Sequence, residues 1–215
     1  MQITPAILPR LIQAIDDAIE TNAETVTALD QAIGDGDHVI NLQRGLHALK
    51  AQADELGRLD DWAAAWQKIG MSLMSSVGGA SGSLYGTLFI AMSKAAREQA
   101  LDQSGFAEIF SQGVESVKQR GKADAGEKTM LDVFIPVAES LKQSSAKSMP
   151  LPEVLNMICD VAIAGVEATR DMLATKGRAS FLGERSKGHI DAGAKTAQLM
   201  ICAMSTVLAE STSPA

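Results

Sequence analysis

Apolar positions along the chain recur with the period of a helix. Trp62, Trp66, Ile69 and Leu73 follow one another at spacings of four, three and four. Leu84, Leu88 and Ala91 repeat the pattern, as do Val154, Ile158, Val161 and Gly165, and then Leu199, Ala203 and Val207. Such spacing puts each set on one face of a helix. Sustained alternation of apolar and polar residues, the mark of a half-buried strand, is missing. The pattern predicts helices near residues 4–20, 23–33, 38–57, 60–77, 81–100, 104–120, 129–146, 151–177 and 192–210. The first two read equally as one bent helix, which gives about eight. Asp60 and Ser104 read as N-caps, and Pro150 and Pro152 mark a break and a fresh helix start. No repeat, low-complexity segment or Gly/Ser/Pro linker divides the chain, so residues 1–215 are expected to form one all-α domain, an antiparallel bundle or barrel.

Composition narrows the function. At 215 residues and 22.6 kDa the chain is long enough for a sizeable core without a staple. Lys and Arg number 19 against 26 Asp and Glu, a net charge of −7, and only 4% of residues are aromatic. An acidic chain with few stacking platforms is a poor binder of nucleic acid or anionic membranes. Cys159 and Cys202 are too few for a disulfide framework and read as buried thiols of a reducing compartment. The N-terminus lacks the basic region of a secretory signal, and no apolar run approaches the roughly 20 residues of a membrane span. A soluble, cytoplasmic protein is expected.

Four stretches interrupt the helices: Gly34–His38, Gly78–Gly82, Gly121–Thr129 and Lys176–Gly193. All are rich in glycine and polar groups. Antiparallel helices return successive loops to the same end, so the four can meet at one site. Asp30, Asp35 and Asp37 form the most specific cluster. Asp35 and Asp37 are two apart in a glycine-flanked turn, and Asp30 is about one helical turn before it. Three carboxylates without a His or Cys pair favour a hard cation, Mg²⁺ before Zn²⁺. Two of the three read equally as turn residues, since Asp-Gly is a common turn dipeptide. An EF-hand is excluded by Val39 and Leu46 at ligand positions.

His38 and Asn41 share a face of the following helix, where free N–H groups suit phosphate. The Gly78–Gly82 loop fits phosphate binding or simple close packing. Lys176, Arg178, Arg185, Lys187 and His189 make one basic segment, either a solvated loop or a segment that closes over phosphates. Three ionised Asp repel a nucleotide. Two Mg²⁺ bring the total to about +1, whereas one leaves about −1, so two are more coherent. Familiar nucleotide and nucleophile motifs fail. Glu127 stands where a P-loop requires Lys, Gly34-Asp35-Gly36 lacks the third glycine of a dinucleotide fingerprint, and Ser83 breaks a nucleophile elbow.

Together these segments resemble the nucleotide-binding L subunits (DhaL) of dihydroxyacetone kinases. The matching motifs are Ile33–His38 with Asn41, Val77–Gly82, Arg120–Lys122, Gly126–Met130 with Asp132, and Lys176–Ser180 with Leu182–Ser186. The resemblance implies an eight-helix antiparallel barrel with nucleotide and metal loops at one end. It implies that Asp30, Asp35 and Asp37 bind two Mg²⁺, and that His38, Asn41, Gly79, Ala80, Gly121, Met130, Arg178, Asp191 and Gly193 line an ADP/ATP site. Arg178 is the candidate for stabilising transferred charge. The implied activity is the phosphoenolpyruvate-dependent type. There, phosphoryl groups pass through ADP/ATP to dihydroxyacetone held on a separate K subunit, with an M phosphotransferase subunit recharging the nucleotide. The alternatives are a kinase subunit for another short-chain ketose, a nucleotide-sensing subunit that binds a transcription regulator, and a stand-alone metal-dependent hydrolase. One departure stands out: the family usually has Gly after Asp-His, and this chain has Val39.

Overall fold

The computed structural model describes residues 3–212. A 3-10 turn at Pro5–Ile7 leads into α1 (Leu8–Thr21), followed by α2 (Ala23–Ile33), α3 (His38–Lys50), α4 (Ala53–Gly57), α5 (Trp62–Ser76) and α6 (Gly79–Ala95). Then come α7 (Gln103–Gly121), α8 (Leu131–Ala146), α9 (Leu151–Ala168) and α10 (Ala192–Thr212), with 3-10 turns at Thr169–Asp171 and Arg178–Ser186. No strand occurs among the described residues.

Eight of these helices form a closed ring. From α1 the neighbours are α3, α5, α6, α7, α8, α9 and α10, and α10 packs back against α1. The expected eight-helix barrel is therefore the architecture, with α2 and α4 as short additions. At the closing seam Arg10 of α1 donates to Ser211 (2.9 Å) and pairs with Glu210 (3.0 Å) of α10. The interior is apolar, as the periodicity requires. Six of its aromatics form one file: Trp62 against Trp66 (5.3 Å between ring centres), then Phe106, Phe110, Phe134 and finally Tyr85. Offset and edge-on ring contacts of this kind add to simple burial.

The boundaries differ from expectation where side chains redirect the backbone. Asp61, not Asp60, caps α5, accepting the Ala64 N–H at 2.7 Å. Asp102, not Ser104, caps α7 by accepting from Gly105 at 2.8 Å. In both cases the carboxylate that reaches the third helical N–H decides the start. The helix expected over 38–57 breaks after Lys50, because Gln52 turns its side chain onto the Ala48 carbonyl and Ser72. The helix expected to reach 177 stops at Ala168. There Thr169 bonds back to Val166 (2.7 Å) and serves the loops described below.

Val39 lies within α3, buried at 4% exposure and with negative φ. A glycine's freedom is not needed at that position, and valine costs little in a helix that packs it into the core. Helix α10 is long and apolar enough to cross a membrane by length and composition, contrary to the sequence expectation. Half of its apolar window is buried inside the ring, against α9, α1, α2 and α8, as befits a core helix.

The cysteines also depart from expectation. Cys159 of α9 and Cys202 of α10 are half-buried and joined as a disulfide, their Cα atoms 5.0 Å apart. They face one another across two antiparallel helices, which residue spacing alone does not reveal. Closing a loop of this size restricts the unfolded chain. Reduction is expected to lower the urea-unfolding free energy by about 2–4 kcal/mol. The Cys159→Ser/Cys202→Ser double variant, measured without reductant, is expected to match the reduced wild type.

Candidate functional site

The four glycine-rich stretches meet at one end of the ring. The first begins where α2 ends. Gly34 closes the helix with its N–H on the Asp30 carbonyl (2.5 Å), and a Cβ there would stand 2.2 Å from Asp30 Oδ1. Only glycine lets the Asp30 carboxylate fold over its own helix end. Gly36 follows at φ +77°. Asp30 Oδ2 then accepts the His38 N–H at 3.1 Å, which opens α3. In this tight reversal, one oxygen from each of Asp30, Asp35 and Asp37 lies within 4.8 Å of the others. Asp30 is half-buried and the other two are exposed.

The second stretch sits beside it. Gly78 passes so close to buried Asn41 that a Cβ would approach Asn41 Oδ1 to 2.3 Å. Helix α6 starts at Gly79 (φ +64°) with no side-chain cap, and Gly79 and Ala80 are exposed. Ser81 reaches His38 Nδ1 at 3.3 Å. Arg120, at the end of α7, donates to Ser83 at 2.8 Å and brings in the third stretch. Gly121 lies against Leu84.

The third stretch is organised by Asp132, which is 5% exposed. Its two oxygens accept the Gly126 N–H (2.5 Å) and the Thr129 N–H (2.7 Å). The turn so formed drives Lys128 inward, at φ +61° and 1% exposure. Its ammonium donates to the carbonyls of Thr169 and His189, with Arg170 O at 3.4 Å. Burial pulls the Lys128 pKa down, and Asp191 and Asp171 oppose this.

The fourth stretch is thereby anchored. Beyond Lys128, Gly188 N–H bonds Arg170 O (2.8 Å), and Ser186 accepts from Ala174 N (3.0 Å). Thr175 and Lys176 hold Glu127, and Ala174, Ala179 and Leu182 pack on Ile33. The basic segment is thus docked over the acidic turn, where Arg178 Nε sits 2.7 Å from Asp35 Oδ2. Asp191 closes the site. Its N–H is held by Thr169 Oγ1 (3.0 Å), and its carboxylate caps α10 at Ala194 N (2.7 Å). Burial pushes its pKa up to about 7, against the pull of the Ala194 N–H and Lys128; Asp132 and Asp30 add to the rise. A side chain at Gly193 would come within 3.8 Å of the Met130 N. Met130 itself is buried in the main core.

Of the twelve residues expected to line the site, Asp30 lies in the last turn of α2 and Asn41 in the first turns of α3, and the other ten lie in or at the ends of the four stretches. Gly121 joins them more loosely, through its neighbour Arg120. The N–H of His38, expected to face a ligand, is instead occupied by Asp30. Lys128, Ser81 and Thr196 were not singled out. Lys128 sits in the near-P-loop run, but its ammonium points to backbone carbonyls and not outward. Thr196 carries no sequence signal, because its partner His38 is 158 positions away.

Residues 32–206 match the family model described as the DAK2 domain. The chain is 43% identical over 195 residues to the Listeria innocua protein named "PEP-dependent dihydroxyacetone kinase 1, ADP-binding subunit DhaL", covering 91% of this chain and 92% of that one. It is also 43% identical over 190 residues to the Escherichia coli K12 ADP-binding subunit DhaL, covering 86% and 88%. Among solved structures, the dihydroxyacetone kinase of C. freundii in complex with AMP-PNP and Mg²⁺ superposes with a TM-score of 0.72 at 24% identity. That match covers 98% of this chain, which spans about a third (35%) of the solved one.

Two outcomes test this geometry. Lys128→Met leaves buried carbonyls without a donor. It is expected to cost about 2–4 kcal/mol and to speed trypsin cleavage after the already exposed Arg178 and Arg185. Asp191→Asn keeps an oxygen for Ala194 but removes a charge. The wild-type carboxyl titrates near 7 folded and near ~3.9 unfolded, so its contribution to stability is fully present below about pH 4 and lost as pH rises through 7. In EDTA, the Tm advantage of the variant is expected to grow between those limits and level off above them.

Proposed function

We propose, for a chain that belongs to the DAK2 domain family, that it is the ADP/ATP-binding subunit of a phosphoenolpyruvate-dependent dihydroxyacetone kinase. It would be a phosphotransferase component active with a K subunit that holds dihydroxyacetone and an M subunit that recharges the nucleotide. A cytoplasmic location follows from that partnership. The observation that carries the reading is the meeting of three carboxylates with a docked basic segment beneath uncapped glycine loops.

The residues fit the group they would hold. Mg²⁺ takes oxygen ligands at about 2.1 Å, so carboxylates within 4.8 Å of one another can share or bridge such ions. Asp30, Asp35 and Asp37 would hold them. Asp30 is pre-positioned by the His38 N–H, and the exposed pair remains open to ions from solvent. The open start of α6 at Gly79 and Ala80 would take phosphate oxygens on backbone N–H groups. Asn41, Gly121, Met130, Asp191 and Gly193 would complete the walls. When bound, the Mg-nucleotide supplies the phosphoryl group and its electrophilic phosphorus.

The chain contributes positioning and charge. Arg178 rests on Asp35 and neutralises it while no cation is there. With Asp35 holding a cation, the Arg178 guanidinium would be free for phosphate, where it would stabilise charge during transfer. Nothing here requires a nucleophile from this chain.

Native mass spectrometry tests the reading. The expected result is a mass increment of ADP plus two Mg²⁺ that is lost with EDTA. Asp35→Ala is expected to weaken Mg-ADP binding at least about 100-fold with an unchanged helical spectrum, a loss of about 2.7 kcal/mol for one charged metal ligand. Retained affinity in that variant would overturn the metal assignment. Dihydroxyacetone phosphorylation from phosphoenolpyruvate, dependent on added K and M subunits, would establish the activity. Capture of a transcription regulator with no such transfer would favour the sensing role instead.

A further inference from the structure

Asn41 lies under the glycine loops, one turn into α3, and is only 5% exposed. The two ends of its carboxamide have different surroundings. Oδ1 is pressed towards Gly78, where a Cβ would come within 2.3 Å of it. Nδ2 is on the other side, 3.6 Å from where a Cβ of Gly79 would stand. Gly79 opens α6 with no side-chain cap, so the first N–H groups of that helix are free. Among the described residues no acceptor meets Nδ2. One nearly buried N–H donor is thus aimed at the place where the backbone donors of α6 converge.

Which end of a carboxamide faces that place decides its chemistry. Turned one way it offers N–H groups, and turned the other it offers lone pairs that repel an anion. Arg44, one turn further along α3, makes the choice. Its Nη1 donates to Asn41 Oδ1 at 3.2 Å. A guanidinium only donates, so a flipped amide would set N–H against N–H and lose the bond. Arg44 is exposed, and among the described residues Asn41 is its one side-chain partner, with no carboxylate competing for it.

We propose that Arg44 is a positioning residue for nucleotide phosphate, acting through Asn41. It holds Oδ1 towards itself, so that Nδ2 presents its N–H groups to an anion at the start of α6. Its own guanidinium stays on the amide and does not reach the ligand. The nucleotide half of this inference rests on the function proposed above; the orientation of the amide does not.

The chain has three asparagines, Asn22, Asn41 and Asn156. Selective ¹⁵N-asparagine labelling therefore resolves the side-chain amides, with Asn41→Ala identifying the signal. In the wild type the Asn41 Nδ2 protons are expected to show an NOE to the Gly79 α protons and to shift when Mg-ADP is added. Arg44→Met is expected to weaken that NOE and to lower Mg-ADP affinity about tenfold, the scale of one hydrogen bond, with Tm unchanged. Arg44→Lys keeps a donor and is expected to recover most of the affinity. In an Asn41→Ala background, Arg44→Met is expected to change nothing further, because the two residues act as one unit.

An Arg44→Met variant with wild-type affinity would overturn the proposal, as would a wild type without the NOE. An equal loss in the Asn41→Ala background would overturn it too, since the effect would then be one of charge at the rim. A wild type that shows the NOE but binds no Mg-ADP would overturn the function reading and the nucleotide role of Arg44, while leaving the amide orientation standing.

Discussion

The loop end of this barrel depends on one buried ammonium. Lys128 donates to carbonyls on either side of the basic segment, at Thr169 and His189. A buried charge without partners is costly, and carbonyls without donors are costly too. Each therefore fixes the other. Asp132 sets the turn that carries Lys128 inward, and Thr169 passes the constraint to Asp191 and so to the start of α10. Without that contact, residues 172–188 would be tied mainly at Ile33 and Glu127. With it, the segment lies on the acidic turn and Arg178 meets Asp35.

The site combines features that oppose one another electrostatically. Three carboxylates within 4.8 Å repel, and a fourth, half-buried Asp191, has its pKa pushed up to about 7. Against them stand Arg178 at the rim and Lys128 beneath. One cation is exposed and exchangeable, the other buried and fixed in place. The exposed pair is worth little to stability in water, which suits an arginine that must leave its partner.

Much of the fold was legible because helical periodicity survives in eight long segments, and short loops leave few ways to close them. The three aspartates were legible because they lie within eight residues and read locally. What escaped was non-local. Two cysteines 43 positions apart gave no sign of facing each other. The lysine after Gly126-Glu127 looked like a failed phosphate loop, although its partners are carbonyls 41 and 61 positions away. Cap positions slipped by one or two residues because several neighbouring polar residues could serve, and backbone geometry chose among them. The unusual Val39 carries no backbone strain because the position is helical and buried.

The seam between α1 and α10 joins the two ends of the described chain, at Arg10, Glu210 and Ser211. It lies at the opposite end of α10 from Asp191 and the loops. Any further polypeptide grafted at either terminus would emerge from the floor of the barrel and leave its mouth unobstructed. The two ends could therefore be joined across that seam, as a circular permutation requires, without passing through the chemistry at the other end.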